Sequence, residues 1–158
     1  NVPIKFTKEG KIVGLSGLNK YSDMILYDDE FLSCEITPKT IYKKVVPMIK
    51  EKVKLFKRDS ITSDIIICDN EHIYTLDTDN YYSEQTDFAY YGLYSNAITS
   101  ILDLTVELPA IERIKKVFEY VNSHFKTNWF PLIIADSKTG KFSYLYNGEK
   151  CDEFNSCV

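Results

Sequence analysis

Strand signals and helix signals are segregated along this chain, and that ordering limits the fold more than any single motif does. Val2–Phe6 and Lys11–Leu15 read as two short strands around the polar turn Thr7-Lys8-Glu9-Gly10. Helical spacing follows at Leu18, Tyr21, Ile25, Leu26 and Phe31-Leu32. A second helix is predicted from Pro38, a residue suited to the first helical turn, with Thr37 as its N-cap. It continues through Ile41, Val45, Met48, Ile49, Val53 and Phe56, and Pro47 inside the pattern should kink or split it.

The second half repeats that grouping. Ser63–Cys68 carries the β-branched run Ile65-Ile66-Ile67, Asp69-Asn70-Glu71 is turn chemistry, and His72–Leu76 alternates, so these residues predict a hairpin. Phe88–Tyr91 reads as a further strand ending at Gly92. Asn96–Val106 is helix-compatible, and Pro109 opens a clearer helix with Ile111, Ile114, Val117, Phe118, Val121 and Phe125 on one stripe. Pro131–Ala135 and Lys141–Tyr146 frame the turn Ser137-Lys138-Thr139-Gly140 as a second hairpin. Grouped strands and grouped helices predict an α+β domain rather than alternating parallel βαβ units.

Length and composition set bounds on function. A chain of 158 residues fits one domain, with 1–147 as core and 148–158 as a polar, Cys-containing tail. Hydrophobic content of 44% with 27% charge is globular rather than disordered. The net charge is −4, and Glu51 interrupts the lysines between Lys43 and Lys57, so they read as a helix's solvent face and argue against nucleic-acid binding. No apolar run approaches the ~20 residues of a membrane span. The opening NVPIKFTKEG lacks the apolar core of a signal peptide. The chain begins at Asn1 without Met, which reads as a processed product or a part of something longer. Twelve Tyr and nine Phe supply residues suited to protein contacts and self-association.

Cys34 and Cys68 lie in apolar surroundings and read as buried small hydrophobes. Cys151 and Cys157 lie in the polar tail, where a disulfide is open. The favoured compartment is cytoplasmic and reducing, with free thiols. His72 and His124 are the only histidines and neither sits in a ligand pair, so no metal and no cofactor is expected. Both could act as general bases, but neither has a Ser or Cys partner in a nucleophile elbow. The carboxylates Asp23, Asp28, Asp29, Glu30, Asp77, Asp79, Glu84 and Asp87 could serve glycoside hydrolysis or bind Mg²⁺, but they read as turn and cap residues. The SKTG at Ser137–Gly140 lacks the upstream Gly of a phosphate loop, and Trp129 reads as a core or interface anchor.

The stretch Lys11–Gly17, KIVGLSG, resembles the strand-to-helix passage of proteasome β subunits and of the bacterial heat-shock-locus (HslV-type) peptidase. Asp64–Tyr74 resembles that family's central hairpin, Phe88–Ile98 its strand, small-residue turn and helix, and Ala110–Phe125 its following helix. The chain is therefore similar, over about residues 1–147, to the N-terminal-nucleophile (Ntn) hydrolases. The resemblance implies an αββα sandwich of antiparallel sheets with two helix pairs, lacking its first hairpin. It also implies a homo-oligomeric ring, contact with other protein subunits and a peptide substrate.

The same comparison carries roles to two residues. Gly14 matches the glycine whose backbone N–H forms the oxyanion hole. The family lysine falls near Ile4 or Lys5, and Lys5 could depress the pKa of a nucleophile. The departures are equally specific. Residue 1 is Asn, a carboxamide, where the family has a nucleophilic Thr. Gly92 stands where the family has Ser, and Asn122–Trp129 contains no Asp of the family's late Gly-Asp pair. Two functions follow as expectations. One is a proteasome-like subunit, either a threonine-type peptidase whose nucleophile segment lies outside this chain or a catalytically impaired structural relative. The alternative is a small α+β protein-binding or assembly module, of the kind viruses encode, without hydrolase activity.

Overall fold

A computed structural model describes residues 4–17, 24–55, 63–76, 82–126, 132–146 and 149–151. The class is α+β with antiparallel sheets. Contacts divide the chain into two units, 1–89 with 137–140, and 90–136 with 141–158.

The first unit is built on a five-stranded sheet in the order β1-β2-β3-β4-β5. Its strands are β1 (Ile4–Phe6), β2 (Ile12–Gly17), β3 (Ser63–Cys68), β4 (Ile73–Leu76) and β5 (Tyr82–Gln85). Register explains which face is core. Val13 pairs with Ile67 and Leu15 with Ile65, while Ile65 and Ile67 in turn pair with Leu76 and Tyr74. These six residues share one face of the pleat, and all are buried. Helical residues pack on them: Ile25, Leu26, Phe31, Ile36, Ile41, Val45, Val46 and Ile49 complete the same cluster. The opposite face carries Ile4, Phe6, Ile12, Ile66 and Ile73, each half-buried. The triple Ile65-Ile66-Ile67 thus places Ile65 and Ile67 in the core and Ile66, half-buried, on the opposite face.

The helices between β2 and β3 follow local chemistry. A helical turn at 24–26 ends before Asp28, whose carboxylate accepts the Phe31 N–H at 2.7 Å and starts α1 (Asp29–Ser33). That cap divides the single helix predicted over 18–32, of which 18–23 lies outside the described residues. The Thr37 cap holds as read. Thr37 and Thr40 form a capping box opening α2 (Pro38–Thr40). The expected break at Pro47 takes the form of a π-helical segment, Ile41–Val45, leading into α3 (Val46–Leu55). Val46 N–H donates five residues back to Ile41. Pro47 has no N–H, and its ring would press on the Lys43 carbonyl in a tight α-turn. A widened turn just before it removes that conflict while keeping Ile41, Val45 and Val46 in the core.

One predicted strand is corrected. Phe88–Tyr91 is irregular, and the fifth strand is β5 at Tyr82–Gln85, in register from Ile73↔Gln85 to Leu76↔Tyr82. An edge strand with one paired side needs no apolar alternation, so the polar YSEQ carries no strand signal of its own. Tyr90 instead packs against the core of the second unit.

In the second unit, α4 (Ser95–Leu104) and α5 (Ala110–His124) enclose Ile98, Val117 and Val121. A three-stranded sheet follows in the order β6 (Leu132–Asp136), β7 (Lys141–Tyr146), β8 (Glu149–Cys151). Ser137–Gly140 is the β6–β7 turn, closed by Gly140 at φ +65. The tail read from 148 onward contributes β8, which pairs Tyr144 with Cys151. Cys157 lies outside the described residues, and with it the question of a bond to Cys151.

Before α4, Gly92 has φ +145, and a Cβ there would meet the Tyr90 Oη at 2.8 Å. That hydroxyl donates to the Leu93 carbonyl at 2.6 Å. Gly92→Ala is expected to cost about 1–3 kcal/mol through backbone strain plus the clash. Combining it with Tyr90→Phe removes the hydroxyl but not the strain, so the pair should not recover wild-type stability. Urea midpoints followed by circular dichroism check this, and an unchanged midpoint for Gly92→Ala would contradict it.

Candidate functional site

The two residues assigned roles by resemblance lie on adjacent strands but opposite sides of the first sheet. Gly14 sits inside β2, opposite Ile4 on one side and Ile66 on the other. Its backbone N–H and C=O therefore lie in the plane of the sheet, directed along the ladder. Its missing side chain leaves open space, with nothing within 4 Å of an added Cβ. Lys5 pairs with Val13 and so shares the helix-covered face. Its Nζ rests 3.7 Å from the centre of the Tyr27 ring, a cation–π contact. Asn1 and Trp129 lie outside the described residues.

The best-formed polar cluster joins Asp69, expected from the sequence as a turn residue, to His72, one of the two candidate general bases, and to Lys11. Asp69 follows β3, and its Oδ1 accepts the N–H groups of Glu71 and His72, both at 2.8 Å. His72 Nδ1 lies 3.5 Å from the same oxygen, and Lys11 Nζ lies 3.9 Å from Oδ2. Lys11 Nζ also donates to the Ile36 carbonyl at 2.6 Å and lies 3.8 Å from Glu9. Burial pushes the Asp69 carboxyl up, but the two N–H donors, Lys11 and His72 outweigh it and hold the pKa below its ordinary value. The His72 ring stacks on Tyr74 at 5.6 Å between centroids. Among the described residues no Ser, Thr or Cys bonds to His72, so the arrangement orients an imidazole without delivering a nucleophile to it. Its evident work is to lock the β3–β4 turn and tie it to the segment before α2.

A second feature is a cleft of about 550 Å³ lined by Glu30, Cys34, Lys43, Lys44, Met48 and Glu51 among others. Both lysines come from the π-helical turn. Cys34 is a free thiol there. Burial raises its pKa most, Lys44 opposes that, and Glu30 and Asp28 add to it, so it is protonated at neutral pH. Cys68 is also free, and both cysteines are half-buried rather than fully enclosed.

Cys68 makes an alkaline test of the β3–β4 region. Burial first, then the negative charge of Asp69, raises its pKa from 9.0 to about 11. A raised folded pKa means that stability is complete below the unfolded value and falls as pH rises through the window from about 9 to about 11. The loss approaches roughly 3 kcal/mol for a shift of about two units. Cys68→Ala should flatten that part of the pH profile. Urea midpoints at pH 8 and pH 11 for both proteins measure it, and equal slopes would refute it.

Three of the remaining sequence candidates have structural roles. Asp28 is a cap, the Ser137–Gly140 segment is a turn, and His124 stacks on Tyr120 at 4.4 Å in the last turn of α5. Asp23, Asp77 and Asp79 lie outside the described residues. Among the described residues no group of three or more His, Cys, Asp or Glu could hold a metal ion. None of the described helices is long and apolar enough to cross a membrane. No family model matches this chain, and neither a curated protein nor a solved structure is significantly similar to it.

Proposed function

We propose that this chain is a diverged relative of the proteasome and HslV-type Ntn hydrolases, acting as a ring-forming structural subunit rather than as a peptidase. The observation that carries the reading is the construction of the first sheet. A helical connection joins β2 to β3, yet the two strands are antiparallel neighbours. Helices cover one face, and the other is apolar and half-buried. That is the form expected of one αβ half of an αββα sandwich. The element order, strands then helices then strands then helices then strands, agrees with it.

The catalytic side of the resemblance receives less support. Gly14 lies within the strand ladder, and Lys5 is occupied with Tyr27 on the far face. The partners of such a subunit are further copies of itself or other protein subunits, in the cytoplasm, with no nucleic acid, membrane or cofactor. The exposed Tyr27 and Tyr42 are suited to such contacts. They are equally suited to the alternative, a small assembly module without Ntn ancestry.

Protein expressed from the full gene should be tested by light scattering, negative-stain microscopy and N-terminal sequencing, with a panel of fluorogenic peptides. Closed rings without peptide turnover are the expected result. Turnover from a mature Thr, Ser or Cys would convert the reading to a peptidase. A monomer at all concentrations would remove the ring and favour the assembly module.

A further inference from the structure

We draw no further inference here: the strongest candidate, the exposed apolar and aromatic patch of Leu93, Tyr120 and Phe125 where the start of α4 meets the end of α5, carries nothing, because nothing in the structure shows what covers it.

Discussion

Truncating Phe31 to Ala is expected to cost about 3–5 kcal/mol, the largest effect of any single side chain in the first unit. Phe31 is 0% exposed and belongs to the cluster under the helices. Its helix, α1, has only five residues. A helix that short has no stability of its own, so its position depends on what its side chains bury. The Asp28 cap fixes where the turn begins, and the Lys8 N–H donates to the Leu32 carbonyl at 2.9 Å, tying the β1–β2 turn to the end of α1. Loss of the ring therefore removes apolar burial and loosens the segment that closes one end of the core. Leu32→Ala, at a half-buried site, should cost less, and Glu30→Ala, at an exposed one, should stay within about 0.5 kcal/mol. At roughly 2–4 °C per kcal/mol, Phe31→Ala should lower Tm by about 6–20 °C. Urea titration and amide exchange around α1 measure it. A cost under about 1 kcal/mol would mean that Phe31 does not hold the core in place.

What was legible in the sequence was what local chemistry decides. The Ser63–Cys68 strand is centred on its β-branched run Ile65-Ile66-Ile67, and Thr37-Pro38 starts a helix because both residues favour that position. The hairpin turns at Asp69–Glu71 and Ser137–Gly140 are likewise local. What escaped depends on neighbours distant in the chain. β5 is polar and becomes a strand only because β4 offers it an edge, whereas Phe88–Tyr91 has strand-like residues that are half-buried without one. Pro47 announced a break, but not that the helix would widen ahead of it in a segment that lines a cleft with Lys43 and Lys44. For the candidate site, the turn chemistry of Asp69 was visible, while its approach to Lys11 across the sheet was not. The register that separates Lys5 from Gly14 by one face also follows from strand pairing, which spacing in one segment does not fix.

Arg113 is the other position where a large effect is expected, and its signal was present in the sequence. Arg113, Val117 and Val121 form an i, i+4, i+8 column on α5, so the arginine extends the buried stripe instead of facing water. It is 8% exposed, and its Nη2 donates to the Leu102 carbonyl at 2.6 Å. Leu102 lies in the last turn of α4, where its carbonyl also accepts the Thr105 N–H at 3.3 Å and has room for a second donor. The guanidinium thus caps that helix with a full positive charge at the negative end of its dipole. A charged hydrogen bond of this kind contributes about 1.5–3 kcal/mol, and truncation also leaves a void beside the helix pair. Arg113→Ala should therefore destabilise the second unit by about 2–4 kcal/mol. Arg113→Lys keeps the charge but loses the planar reach, and should fall between. Arg113→Met separates the causes, since it fills the space without the charged bond to Leu102, whose carbonyl then keeps Thr105 as donor. If Met matches wild type, the arginine's stem, not its charge, holds the pair together. If Met is as poor as Ala, the bond to Leu102 is what joins the end of α4 to α5. Amide exchange in α4, read beside the urea midpoint, should show the last turn of that helix opening first in both the Ala and Met variants.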